Sequence, residues 1–287
     1  MRRTLAAAAL LTASAALAGC GSSSVNPHAV AKAGAKTAKA GGYSLDLVSK
    51  LKVPGATRTF TFKGNGEFDP QHRRGRMSVD MSQLGQIAPG NPYNFGTMQL
   101  VLDGLNIYMR IPILKQIQPT LKPWIKLNLE EAGRTQGLDF SSFLQLGQGG
   151  DPTQTLGYLK GAGDVKKVGS EKVRGVQTTH YRATIDLRKV ANQAPASSRA
   201  RVRASIRRLI QLTGEKTIPT QVWIDGKGLV RRLAYTERLV IQGRRTKVSL
   251  KMDFYEFGTR VIANPPPASD VTDLSQIVAG RQGGGGA

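Results

Sequence analysis

The chain of 287 residues has one cysteine, Cys20, and three histidines, His28, His72 and His180. A single cysteine excludes an intramolecular disulfide. The three histidines lie on separate segments, and none stands at ligand spacing from cysteine or from another histidine, so the usual zinc arrangements are excluded. Neither a Gly-x-Ser-x-Gly elbow nor a phosphate-binding Gly-rich loop ending in Lys is present. Glu130-Glu131 is the sole adjacent acidic pair, and neighbours on an extended chain point apart, which removes the simplest acid and base couple. Beyond the first residues no apolar run is long enough to cross a bilayer as a helix. Carboxylates are scarce: 19 Asp and Glu stand against 41 Lys and Arg, a formal net charge of +22. The expectation is a binding protein with no catalytic residues, no metal and no cofactor.

The amino terminus is the most informative segment. Arg2 and Arg3 precede an apolar run from Leu5 to Leu17, and Leu17-Ala18-Gly19-Cys20 closes it with small residues. That order is a secretion signal. Leu-Ala-Gly-Cys resembles the lipobox of bacterial lipoproteins, which implies a diacylglyceryl thioether on Cys20 and removal of residues 1–19. Residues 20–25, with Gly21-Ser22-Ser23-Ser24, then form a flexible tether. The protein is expected on the outer side of the cell membrane, held by acyl chains. In that compartment the basic excess meets lipid head groups and envelope polymers, not nucleic acid.

From residue 26 to 265 the dominant signal is a period of two, read as one domain and a monomer, with 266–287 as a disordered Pro- and Gly-rich tail. Leu45 and Leu47 alternate with polar neighbours, as do Phe60, Phe62 and Phe68, then Met77, Val79 and Met81. The pattern returns in Met98, Leu100 and Leu102, in Ile107 and Met109, in Ile185, in Val222 and Ile224, and in Val248, Leu250, Met252 and Phe254. Asp69-Pro70, Asp103-Gly104, Asp225-Gly226-Lys227-Gly228 and Gln242-Gly243-Arg244 read as hairpin turns between these runs. Nine to eleven half-wet strands of this kind predict a mainly β protein with a few helices (α+β), its antiparallel sheet curled into a strongly curved half-barrel. His180 falls on the wet face and is expected to be exposed. Trp124 and Trp223 read as rim or core aromatics.

Helices are few. Asn26-Pro27 starts one that reaches Ala40, Ser141 to Leu146 and Thr153 to Leu159 suggest short ones, and Pro195 to Thr213 is the longest before Gly214. Short, Ala-rich or cationic helices cannot cover the apolar face of some ten strands, and monomers seldom leave so much apolar surface bare. The concave side is therefore expected to hold an apolar pocket. Its candidate lining is Leu45, Leu47, Phe60, Phe62, Met77, Val79, Met81, Leu100, Leu102, Ile107, Met109, Ile185, Val222, Ile224, Val248, Leu250, Met252 and Phe254. Arg199, Arg203 and Arg207 on the last helix are candidates for an anionic head group or a membrane surface.

Several segments carry a family resemblance. Trp124 to Leu129, Val168 to Val176, Thr178 to Tyr181, and Val222 to Asp225 followed by Gly228 to Arg232 resemble, in the same order, the LppX/LprG-type lipoproteins of actinobacteria. That resemblance implies a fold similar to the LolA/LolB lipoprotein carriers and an acyl-chain cavity, hence binding and transfer of a lipid or lipoglycan. It implies no catalytic residue. Two functions follow from the whole reading: a lipid carrier, or a surface module with a closed core that binds anionic envelope polymer or a partner protein.

Overall fold

The computed structural model describes residues 25–54, 57–86, 92–131, 152–159, 163–194, 196–241 and 244–274. The expected secretion signal, the helix expected at Ser141 to Leu146 and the residues Gln242 and Gly243 lie outside them. Twelve strands form one open sheet: β1 (Gly42–Lys52), β2 (Phe60–Asp69), β3 (Arg74–Asp80), β4 (Thr97–Asp103), β5 (Asn106–Arg110), β6 (Trp124–Asn128), β7 (Gly163–Val173), β8 (Val176–Asp186), β9 (Thr217–Asp225), β10 (Val230–Ile241), β11 (Arg244–Thr259) and β12 (Val271–Asp273). Their order is β12-β6-β5-β4-β3-β2-β1-β11-β10-β9-β8-β7. Two meanders, β1 to β6 and β7 to β11, are joined where β1 pairs with β11. The sheet is curved, as alternation and strand number predict.

Four helices are described: α1 (Pro27–Ala38), α2 (Pro112–Ile117), α3 (Leu187–Val190) and α4 (Ala196–Thr213). Thr153 to Leu159, expected as a helix, forms a 3-10 segment over Pro152–Tyr158. The start of α1 follows its sequence: Pro27 opens the first turn and the Asn26 side chain accepts from the His28 amide at 3.0 Å. Thr37, fully buried, fixes α1 to the sheet. Its hydroxyl donates to the Ala33 carbonyl at 2.8 Å and accepts from the Val230 amide at 2.9 Å. Gly34 allows the closest approach, because a β-carbon there would lie 2.4 Å from the Thr153 carbonyl oxygen of the 3-10 segment.

Register defines the faces. Leu45 stands opposite Phe254 and Gly66, and Leu47 opposite Met252 and Gly64. Met77 stands opposite Gly66 and Leu100, and Leu100 opposite Met109. Directly opposed residues share a face, so one largely apolar surface runs from β7 to β6. Its β7-to-β1 half packs under α1, the 3-10 segment, α3 and α4 as the main core, with Val30, Leu156, Val202, Leu233 and Phe254 fully buried. A second, smaller core forms around Phe60, Phe62 and Val79, beside Leu84 of the 3-10 turn Ser82–Gln86.

Two expectations need correction. The tail assigned to 266–287 is structured at its start: after a 3-10 turn at Ala268–Asp270, β12 pairs in parallel with β6, Val271 opposite Trp124 and Asp273 opposite Lys126. An Asp273 carboxylate 3.0 Å from Lys126 Nζ fastens it. Three residues are too few to show a period, so the strand is invisible in the sequence. His180, expected in solvent, is largely covered. It stacks on Trp223 with ring centroids 4.1 Å apart and interplanar angle 9°, and it bonds Gln221 at 3.0 Å. The indole covers an imidazole that alternation alone assigns to water, and burial holds its pKa below the ordinary value of 6.5.

Candidate functional site

Between the two cores the apolar face is not filled. A cavity of about 300 Å³ opens there, lined by inward side chains of β1, β2, β3, β4, β5 and β11. Leu45 and Leu47 come from β1, Met77 from β3, Leu100 and Leu102 from β4, Ile107 from β5, and Leu250 and Met252 from β11. Eight candidates named from alternation are thus brought together. Leu47 and Met77 touch both cores, which places them at the centre of the gap.

The other ten candidates do not line this cavity. Ile185, Val222 and Phe254 are in the main core, 3%, 0% and 0% exposed, with Ile224 packed against it. Phe60, Phe62 and Val79 make the second core, with Met81 against it. Met109 and Val248 share the apolar face and are half-buried. The reason is coverage: inward side chains under helices pack against them, and only those between the two covered areas stay free.

The cavity also uses Phe68, Gly75 and Leu129, which the candidate set omits. Phe68 was legible, since it continues the alternation of Phe60 and Phe62. The glycines carry a subtler signal. Gly64, Gly66 and Gly75 occupy inward positions in mid-strand, where glycine marks a close backbone approach. A β-carbon on Gly66 would lie 2.4 Å from the Arg76 carbonyl oxygen, and one on Gly75 2.7 Å from the Phe68 ring. Where these inward side chains are missing, the floor beside Leu45 and Leu47 is deeper.

Polar groups stand away from this floor. Glu67 and Arg76 border the cavity, but their side chains belong to the other face, where they pair at 3.0 Å. At the β10 end Tyr235 and Glu237 turn inward opposite Leu250 and Val248. Burial pushes the Tyr235 phenol up to about 12 and raises the Glu237 carboxyl, with the nearby Glu215 adding to it. Arg199, Arg203 and Arg207 form an exposed row on α4, and none of them lines the cavity. No group of three or more His, Cys, Asp or Glu is placed to hold a metal among the described residues. In the Asp225 hairpin loop the carboxylate is occupied internally by the amides of Lys227 and Leu229 and by Arg231.

No family model matches the chain. An uncharacterized 31.2 kDa protein of Streptomyces griseus is 31% identical over 166 residues, 57% of this chain and 51% of that protein. A Streptomyces coelicolor protein named as a putative lipoprotein is 26% identical over 163 residues, 55% of this chain and 45% of its own length. The chain spans about half the length of these curated relatives. Among solved structures, LprF from Mycobacterium bovis matches 86% of this chain and 100% of its own, at 13% identity and a TM-score of 0.44. A LolA superfamily protein from Nitrosomonas europaea matches 83% of this chain and 95% of its own, at 8% identity and a TM-score of 0.28. The architecture itself rests on the chain's own strand order and register.

Proposed function

We propose that this protein is a membrane-tethered carrier that holds the acyl chains of an amphiphile in the cavity between its two cores. The observation that carries the reading is the lining: inward Leu, Met, Ile and Phe side chains from six strands surround a space of about 300 Å³. That volume is at the lower end of the roughly 300–1,000 Å³ typical of small-molecule sites. Each methylene transferred from water into such a space contributes about 0.8 kcal/mol, so a fatty chain is favoured over any polar ligand of the same size. A thioether-linked diacylglycerol on Cys20 would keep the carrier at the outer surface of the membrane, and the tether expected from Cys20 onward, which ends where the Val25 amide donates to the Val165 carbonyl at 3.0 Å, would let the domain turn toward its donor or acceptor.

The test is native mass spectrometry and solvent extraction of the full chain with Cys20→Ser, exported from an actinobacterial host. A stoichiometric bound lipid, absent from the Met77→Trp variant, is the expected result. A ligand-free mass that takes up neither added phospholipid nor added glycolipid would refute the carrier function.

A further inference from the structure

The convex face of the sheet treats charge in two ways. Toward one end its arginines are matched: Arg232 meets Asp253 at 2.6 and 2.7 Å, Arg174 meets Asp46 at 2.6 Å, and Arg76 meets Glu67 at 3.0 Å. A few residues further along the same sheet the matching stops. Lys50, Lys52, Lys63, Arg182, Lys247 and Lys251 are all exposed, and none is within ion-pair distance of a carboxylate among the described residues. Arg238 is the exception there, 3.6 Å from Glu215.

Placement makes the excess costly. Lys247 is directly opposite Lys52 on one side and Arg238 on the other, so three cations stand in line across three strands. Like charges directly opposed on a sheet destabilise it. A second row leads from Arg182 through Gln221 and Ala234 to Lys251, then through Val48 to Lys63. The second row from Arg182 to Val48 runs through a recess of about 340 Å³, with Lys50, Lys251 and Arg182 at its border and Val48, Ala234, Thr236 and Ser249 among its lining; Lys52 and Lys247 follow two residues beyond Lys50 and Ser249, as the next outward-facing pair along β1 and β11. The recess extends from β8 to β1, four interstrand steps of ~4.8 Å, or about 19 Å.

We propose that this trough is a docking site for a linear anionic polymer, whose successive negative groups neutralise the opposed cations. The shape decides between a chain and a membrane. Small and hydroxylated side chains in the recess leave depth for a chain to lie between cations on both sides, whereas a plane of head groups meets only the rim. The site is on the side of the sheet opposite the cavity and stands independently of the carrier function.

Titration of the full-length Cys20→Ser protein with long-chain polyphosphate, inorganic phosphate and phosphatidylglycerol vesicles, each at several salt concentrations, tests this. Two triple variants remove the same charge: Lys50→Gln/Lys247→Gln/Lys251→Gln in the trough, and Arg199→Gln/Arg203→Gln/Arg207→Gln on α4. The trough variant is expected to weaken polyphosphate binding on the order of 100-fold, given the contribution of one basic residue near an anionic surface, and to flatten its salt dependence. It is also expected to unfold at no lower temperature than the parent, because opposed like charges are relieved. The α4 variant should bind polyphosphate nearly as the parent does. Equal losses in the two variants, equal affinity for inorganic phosphate, or tighter binding to the vesicles with the same sensitivity to the trough variant would each overturn the proposal.

Discussion

Replacing Met77 by Trp distinguishes a cavity from a packed core. Met77 is half-buried, touches both cores and faces the gap between Gly66 and Leu100. In a filled interior the larger ring would force neighbours from their rotamers at a cost of about 1–3 kcal/mol. Here the ring has about 300 Å³ to enter. The expected cost is below about 1 kcal/mol, since displaced contacts are few and new apolar ones form. Ile185→Trp provides the comparison, because Ile185 is 3% exposed inside the main core. A penalty of about 2 kcal/mol there lowers Tm by about 4–8 °C in a domain of this size. Ligand binding should respond in the opposite order. If the indole excludes about four methylenes of an acyl chain, at about 0.8 kcal/mol each, affinity falls on the order of 100-fold. Thermal unfolding and displacement of a fluorescent fatty acid measure both quantities. Should Met77→Trp lose as much stability as Ile185→Trp while fatty-acid binding stays at the parental level, the space between the cores is not a binding site.

Three further outcomes follow from individual contacts. Gly66→Val should lower stability by more than about 2 kcal/mol in urea unfolding, because its β-carbon would meet the Arg76 carbonyl oxygen at 2.4 Å and disrupt the β2–β3 pairing. Thr37→Val keeps the shape of a fully buried residue but leaves the Val230 amide without its acceptor, and should cost about 1–3 kcal/mol by the same measurement. Glu237 has its carboxyl raised above the ordinary 4.5 by burial and by Glu215. Its native state therefore binds a proton more tightly than the unfolded chain, a stabilisation present below 4.5 and lost as pH rises through the folded value. Glu237→Gln should accordingly be more stable than the parent at neutral pH, and that advantage should shrink as the pH is lowered through the raised folded value toward 4.5 and level off below it; an advantage unchanged across the titration would contradict the buried-carboxylate argument.

Alternation and turn chemistry were enough to read most of the sheet. Asp69-Pro70, Asp103-Gly104 and the Asp225 loop are where the chain reverses, and the period of two assigns Leu45, Met77, Leu100 and Met252 to one face because a strand can only point side chains two ways. Asn26-Pro27 and Gly214 mark the ends of α1 and α4 by cap geometry that is local to the chain. The resemblance of Leu17-Ala18-Gly19-Cys20 to a lipobox is likewise a purely linear pattern. What alternation could not do was divide one apolar face into core and cavity. Phe254 and Leu250 are four residues apart on β11 and point the same way, yet the first is fully buried in the main core and the second borders an open space. That difference depends on where α1, α4 and the 3-10 segment end above the sheet. Hydrogen bonds over long sequence distances set those positions, among them Thr37 to Val230 and Lys36 to Lys227. The cationic trough has the same origin. Lys52, Arg238 and Lys247 are scattered along the chain, and only the pairing of β1 with β11 and of β11 with β10 sets them side by side. Residue type and spacing determine which way a side chain points; what it meets there is decided by strands and helices far away in sequence, because contact in a sheet depends on register across strands and not on distance along one.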